Sequence, residues 1–130
     1  MATHGAELID NYKALCDSRG SVDLYQLDAI REIRCVLPEA PASGAILEIE
    51  AVWTRDSGQD EVIVLRFMGV RELELPKIGG QWFGFSELEV RDVSSNGLEG
   101  IRLQVNDYGD DGLRFACHSA AFIRVGEQNL

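Results

Sequence analysis

The chain has 130 residues, of which 45% are hydrophobic and 26% are charged, and its formal net charge is −10. This length and composition fit one globular domain with its own core and exclude an extensively disordered chain. The negative charge disfavours nucleic acids and anionic membranes as partners, because both repel an acidic surface, and it favours a basic partner.

The first predicted element is a helix over residues 5–18, after a flexible N-terminal segment of residues 1–4 that includes His4. Gly20 follows the predicted helix at a position where helices commonly end. Residues 21–29 fit either a turn or a short helix. The helix prediction rests on apolar residues that recur at helical spacing, namely Leu8, Ile9, Tyr12 and Leu15.

The remaining body, over residues 30–125, is predicted to contain six or seven β-strands, and residues 126–130 are predicted to be flexible. The strand-like stretches follow one another at intervals of about 10–15 residues. Gly69 interrupts one stretch, which predicts a bulge or a bend there. The stretches are residues 30–37, 45–53, 61–68, 70–75, 85–93, 101–107 and 113–125. In the second stretch, the apolar side chains that share one face are Leu47, Ile49, Ala51 and Trp53.

Strands this close together leave no room for crossover helices, so neighbouring strands must pair antiparallel. The predicted fold is therefore mainly β, with one N-terminal helix and six to seven antiparallel strands in a sandwich or a strongly curved sheet. Residues 1–130 form a single domain in this interpretation, because neither an internal repeat nor a low-complexity segment divides the chain.

The cysteines and the N-terminus indicate a cytoplasmic protein. The chain has an odd number of cysteines, namely Cys16, Cys35 and Cys117, and no two of them have CxxC spacing. This pattern argues against a disulfide framework and a zinc site. The N-terminus has no basic segment followed by an apolar run, and no apolar stretch approaches the about 20 residues of a membrane helix. We therefore expect no secretion signal and no membrane partner.

Familiar catalytic and cofactor motifs are missing from the sequence, which has no P-loop, no GxGxxG after a strand and no GxSxG. Cys117 and His118 are adjacent in a predicted strand, so their side chains point to opposite faces and cannot form a nucleophile–base pair. The stretch from Asp107 to Gly112 departs from the spacing of a calcium loop. The chain is predicted to be neither an enzyme nor a protein that binds a metal or cofactor.

The candidate partner-binding residues are acidic side chains and the aromatic residues near them. Glu-x-Glu pairs stand on the predicted solvent faces of three strands, and if those strands are neighbours, six carboxylates share one face that a cationic partner would stabilise. Trp82-Phe83 is expected either to cover the sheet as a lid or to anchor a partner. The candidate set is Glu48, Glu50, Glu72, Glu74, Glu87, Glu89, Trp82, Asp107, Tyr108, Asp110 and Asp111.

The chain also resembles a bacterial family over roughly residues 20–125, and the segment Asp107-Tyr-Gly followed by Phe115-x-Cys117 carries most of the likeness. It is similar to immunity proteins of polymorphic toxin systems, particularly the group called immunity protein 50, and to related uncharacterised bacterial β-domain families. Asp28-Ala29 matches part of a His-Asp-Ala element of those families, although Leu27 replaces the histidine. The resemblance implies a protein that binds and neutralises a cognate toxin inside the producing cell.

Three functions stay open at this stage. The first is a non-catalytic binding protein of the immunity type, which presents an acidic sheet face to a basic toxin. The second is a self-associating or small-ligand-binding β domain, and a homodimer is compatible with the sequence. The third is an enzyme whose site is assembled from dispersed carboxylates and His118, which requires a pocket that holds this histidine beside a carboxylate.

Overall fold

A computed structural model describes residues 3–40, 43–75, 84–108 and 112–130. The helical elements that lie wholly within these residues are the α-helix α1 (Tyr12–Arg19) and short 3-10 helices at Ala6–Leu8, Leu24–Gln26 and Ser94–Asn96. The strands in chain order are β1 (Leu27–Val36), β2 (Ala45–Thr54), β3 (Asp60–Glu74), β4 (Leu88–Asp92), β5 (Leu103–Asp107), β6 (Arg114–Cys117), β7 (Ser119–Val125) and β8 (Gln128–Asn129).

The described strands form one antiparallel sheet in the order β1-β2-β3-β6-β5-β4, while β7 pairs with β3 and β8 pairs with β7. The prediction of a mainly β fold with antiparallel strands and one N-terminal helix is thereby confirmed. The predicted stretches 61–68 and 70–75 are one long strand, β3, and the stretch 113–125 is divided into β6 and β7.

The long strand β3 changes its neighbour at Gly69. Residues 63–68 pair with β7, whereas Arg71 and Glu74 pair with β6. Gly69 has a φ of +68°, and the register between β2 and β3 shifts at this point, so the predicted bulge is confirmed. A Cβ atom at Gly69 would lie 2.9 Å from the Cβ of His118, so the close approach of these two segments requires glycine.

The sheet is open and strongly curved, which is one of the two predicted arrangements. β1 and β4 stand at opposite ends of the strand order, yet Ala29 of β1 forms a bridge with Gly84, four residues before β4. The amide of Phe85 also donates to the carbonyl oxygen of Asp28 at 3.0 Å. A single sheet brings its two ends together only by bending, so the inner face encloses the core.

One hydrophobic core fills the inner face of this sheet. The ring centroids of Phe67 in β3 and Phe115 in β6 are 4.9 Å apart in an edge-to-face arrangement, which joins the two halves of the sheet. Leu15 of α1 and Leu24 of the second 3-10 helix are fully buried against the same core. The predicted alternation of β2 is confirmed, because the side chains that face the core are Leu47, Ile49, Ala51 and Trp53.

The N-terminal region differs from the single helix predicted over residues 5–18. The helix is interrupted at Asn11, which has a φ of +69°, and α1 begins only after it. The amide of Asp10 donates to the carbonyl oxygen of Ala120 at 2.9 Å, and this contact with β7 replaces a helical hydrogen bond. Among the described helices, none has the length and apolar character to cross a membrane.

As far as they are described, the two ends predicted to be flexible form hydrogen bonds with the rest of the domain. The carbonyl oxygen of Thr3 accepts a hydrogen bond from the amide of Leu24 at 3.2 Å. At the other end, β8 pairs with β7, and the amide of Leu130 donates to the carbonyl oxygen of Ile123 at 3.1 Å. A two-residue strand is too short to produce a recognisable alternation in the sequence.

Candidate functional site

The six glutamates of the predicted Glu-x-Glu pairs lie on three separate surfaces. β4 is separated from β3 by β6 and β5, so the condition that the three strands are neighbours is not met. The expectation that six carboxylates share one face is therefore wrong. The pairs lie on β2 (Glu48 and Glu50), at the end of β3 (Glu72 and Glu74) and at the start of β4 (Glu87 and Glu89).

The first surface is the outer face of β1, β2, β3 and β7, which we call the paired face. A carboxylate oxygen of Glu48 lies 3.3 Å from a guanidinium nitrogen of Arg66. A carboxylate oxygen of Glu50 lies 3.0 Å from a guanidinium nitrogen of Arg124. The glutamates of this face are thus matched by arginines within the protein. The charged residues of the paired face include Arg31, Glu32, Arg34, Glu48, Glu50, Arg66 and Arg124.

The second surface lies at the end of β3, and its two glutamates are exposed. Glu72 is exposed and has a φ of +55°, a conformation that costs energy for a residue other than glycine. Glu74 lies 4.0 Å from a guanidinium nitrogen of Arg114, with both side chains mostly in water. An exposed pair at this distance contributes little to stability or to specificity.

The third surface combines carboxylates with two exposed tyrosines, and we call it the acid–tyrosine patch. Tyr25 is 40% exposed and Tyr108 is 50% exposed. Tyrosines are among the residues that contribute most to protein–protein binding, since each ring offers a large apolar area and a polar tip. The members of the patch are His4, Asp23, Tyr25, Glu87, Glu89 and Tyr108.

The Tyr25 ring is held in place by its neighbours. The imidazole of His4 stacks on it with a centroid distance of 3.4 Å and an interplanar angle of 6°. The His4 Nδ1 atom lies 2.6 Å from Oδ1 of Asp23, and the same Asp23 atom accepts a hydrogen bond from the Tyr25 amide at 2.9 Å. Asp23 also forms a capping box with Gln26. The ring is therefore largely pre-organised before any partner arrives.

Tyr108 is connected to the start of β4. Its amide donates to the carbonyl oxygen of Glu87 at 3.1 Å, and its hydroxyl lies 3.5 Å from a carboxylate oxygen of Glu89. The adjacent Asp107 is buried, and its carboxylate accepts hydrogen bonds from the amides of Ser86 at 3.1 Å and of Glu87 at 2.7 Å. Asp107 was predicted as a partner-binding residue, but it lies beneath the patch, where it fixes the backbone that carries Glu87.

The carboxylates of the acid–tyrosine patch are less compensated than those of the paired face. Glu89 is 3.9 Å from an exposed guanidinium nitrogen of Arg91, and Glu87 makes no ion pair within the described part of the chain. Desolvation, followed by the charges of Glu87 and Glu89, raises the pKa of the Tyr25 hydroxyl. The patch therefore presents negative charge beside aromatic faces, an arrangement that attracts lysine and arginine side chains.

The residues predicted from the sequence cover only half of this patch. Trp82, Asp110 and Asp111 lie outside the described residues. His4 and Tyr25 were missed because long-range packing, rather than a local pattern, brings them to β4. A local signal did exist for Asp23, since the sequence Asp-Leu-Tyr-Gln has the residue types of a capping box.

Cys117 and His118 do not form a reactive pair. The thiol of Cys117 is buried, and this burial raises its pKa to about 12, whereas His118 is exposed on the other side of the chain. His118 lies at the bend between β6 and β7, and not within a strand as predicted from the sequence. Within residues 3–40, 43–75, 84–108 and 112–130, no group of three His, Cys, Asp or Glu side chains could hold a metal ion.

Comparisons with known proteins gave no match to a protein-family model, to a curated protein or to a solved structure. The likeness to immunity proteins thus rests on the residue pattern alone.

Proposed function

We propose that this chain is a non-catalytic binding protein that uses the acid–tyrosine patch to bind a basic protein, as an immunity protein binds its cognate toxin. The observation that carries the proposal is the exposure of two tyrosines beside Glu87, which makes no ion pair among the described residues, and Glu89, whose arginine partner is exposed and 3.9 Å away. A surface of this kind stays uncompensated in the free protein and gains most when a cationic partner covers it.

The tyrosines supply the affinity in this proposal. Tyr25 is already fixed by His4 and Asp23, so little conformational entropy is lost when a partner packs on the ring. Tyr108 is fixed less, through its amide and its contact with Glu89. Two aromatic anchors surrounded by polar side chains are typical of the residues that dominate binding energy.

The carboxylates supply the choice of partner and the rate of association. The net charge of −10 and the local acids attract a basic surface over a distance of about 10 Å at ordinary salt concentrations. Nuclease toxins fit this requirement, because a protein that binds nucleic acid is commonly basic where the phosphates lie. Carboxylates placed on that surface would take the place of phosphate charge.

Co-expression tests this function directly. The product of the adjacent gene is expressed in a host with and without this chain, and growth is measured together with recovery of the complex by affinity capture. We expect toxicity without this chain, restored growth with it, and a complex that dissociates as the salt concentration rises. A neighbour that is harmless and forms no complex contradicts the immunity function.

A self-associating β domain is the second candidate, and a separate feature favours it. The feature is the edge of β1 at residues 32–36, where no second strand pairs within the described part of the chain and where the order of charges is self-complementary. This edge is independent of the acid–tyrosine patch. Both functions could belong to one protein, because the two surfaces lie on different elements.

A further inference from the structure

Among the described residues, β1 has one open edge over its second half. Residues 32–36 pair with β2 on one side, and among the described residues no strand pairs with them on the other side. The bridge from Ala29 to Gly84 occupies only the beginning of this edge. An open edge presents unpaired amide and carbonyl groups that readily pair with another strand.

The usable part of this edge is regular. The register between β1 and β2 shifts twice before Glu32 and then advances residue by residue from Glu32 to Val36. Ile33 lies opposite the buried Ile49 and so faces the inner side of the sheet, whereas Glu32 and Arg34 face the outer side. The side chains of Glu32 and Arg34 are 55% and 64% exposed.

The order of these charges is self-complementary. When a second copy continues the sheet about a two-fold axis at Ile33, Glu32 faces Arg34 of the second copy, and Arg34 faces its Glu32. An axis at Glu32 would place two glutamates opposite each other, and an axis at Arg34 would place two arginines opposite each other. Opposite charges directly across a pair of strands stabilise it, and like charges destabilise it.

The paired face supports the same register. Arg34 lies opposite Glu48 of β2, which in turn lies opposite Arg66 of β3. A glutamate from a second copy beside Arg34 extends this row with the alternation of sign intact. Glu32 lies opposite Glu50, a like charge, and its one ion pair within the described residues is with Arg34 of its own strand at 3.2 Å.

We propose that two copies of this chain form a symmetric dimer by antiparallel pairing of residues 32–34 of β1 about an axis at Ile33. The interface has a narrow apolar centre, where the two Ile33 side chains meet on the inner side, and two Glu32–Arg34 pairs on the outer side. Pairing of one short edge buries less than the about 1,600 Å² of a standard interface, so the dimer is weak and depends on salt.

Charge reversal at this edge tests the proposal. We expect sedimentation velocity at concentrations approaching about 1 mM to show a monomer–dimer equilibrium for the wild type. Glu32→Arg and Arg34→Glu each place two like-charged pairs across the axis, and each is expected to weaken the dimer by about 30-fold. The matched control Glu39→Lys, on an exposed loop beyond the strand, leaves the equilibrium unchanged.

A double variant and a mixture of the two single variants distinguish pairing of opposite charges across the axis from a general effect of net charge. The double variant E32R/R34E restores opposite charges across the axis, so its dimer is expected to regain the wild-type affinity. Mixing the two single variants is expected to give a heterodimer, because all four charges then face an opposite charge. Folding of every variant is checked by its thermal melting curve, and the mixture remains informative when one single variant melts early.

Four results overturn the proposal. They are a wild type that stays monomeric, a dimer that survives both single reversals, a double variant that stays monomeric, and a mixture without heterodimer. The register is tested with Cys35, which lies two residues from the axis and opposite Arg31 of the second copy. Rapid oxidative cross-linking of two Cys35 thiols would show an axis at Cys35 and overturn this register.

Discussion

The paired face and the acid–tyrosine patch are both rich in carboxylates, but they differ in what surrounds those carboxylates. On the paired face, Glu48 and Glu50 have arginine partners on neighbouring strands. In the patch, Glu87 makes no ion pair among the described residues, its charge acts on the exposed Tyr25, and its carbonyl oxygen accepts a hydrogen bond from the amide of the exposed Tyr108. The two regions contain similar numbers of acidic residues, so they differ in how far arginine side chains neutralise those carboxylates.

This difference separates charge that serves the fold from charge available to a partner. A carboxylate that already holds a guanidinium group would have to exchange one partner for another on binding, with little net gain. Glu87, whose charge acts on the fixed ring of Tyr25, has no such ion pair to give up among the described residues. Substitutions in one region can therefore be compared with matched substitutions in the other.

The largest effect is expected from Asp107, which supports the patch from below. Asp107→Ala leaves the amides of Ser86 and Glu87 without their buried acceptor, which costs about 3 kcal/mol of unfolding free energy. Chemical denaturation measures this loss. Unchanged stability combined with lost partner binding would make Asp107 a contact residue instead.

The next effect is expected at Tyr108. Removing this half-exposed ring by Tyr108→Ala should weaken binding of the basic partner by about 30-fold, the range typical of an aromatic anchor, with little change in stability. Leu98→Ala is the matched control, since Leu98 is also a large exposed apolar residue and is 58% exposed outside the patch. Equal losses for the two variants, measured by calorimetry, would remove the special role of the patch.

A smaller effect is expected from the charge of Glu87. Glu87→Lys should lower the association rate with the basic partner by about five- to tenfold at low salt and flatten its salt dependence. Stopped-flow kinetics at several salt concentrations measures both quantities. Glu48→Lys makes the same change of charge on the paired face, and a slower association for that variant than for Glu87→Lys would reverse the comparison.

The electrostatic character of the patch is also visible in the free protein. The pKa of Tyr25 is raised, so its hydroxyl stays protonated to a higher pH than a tyrosine in water, and Glu87→Gln should bring this pKa part of the way back. Ultraviolet difference spectra during an alkaline titration report the ionisation of the tyrosines. A titration curve that is identical in wild type and Glu87→Gln would show that the Glu87 charge does not reach Tyr25.

The smallest effect is expected from the paired face itself. Glu48→Gln removes one half-exposed ion pair with Arg66 and should lower the unfolding free energy by about 0.5 kcal/mol, with partner binding unchanged. Thermal unfolding and calorimetry measure the two quantities. A tenfold loss of partner affinity in this variant would assign the binding surface to the paired face.

Local patterns were sufficient for much of the fold. Alternation alone identified the buried face of β2, because each of its inward residues is apolar, and the spacing of the strands required antiparallel pairing. The bulge was also predicted from a local feature, because Gly69 interrupts the strand pattern. The pattern missed the helix break at Asn11, since the competing hydrogen bonds come from β7, far along the chain.

The site was harder to predict because it depends on the order of strands. Arg124 compensates Glu50 across 74 residues of sequence, and His4 reaches Asp23 across 19 residues. Neither pair can be inferred from the spacing of residues along one strand. The sequence therefore identified the acidic residues, while the sheet order decides which of them are already paired.

The central claim is that the acid–tyrosine patch, rather than the paired face, binds a basic partner. The most direct measurement is the affinity of the basic protein encoded by the adjacent gene for the wild type, for a Glu87→Lys/Tyr108→Ala variant and for Glu48→Lys. We expect the double variant to bind at least about 30-fold more weakly and Glu48→Lys to bind as the wild type does. Tight binding by the double variant, with binding lost in Glu48→Lys, would contradict the claim.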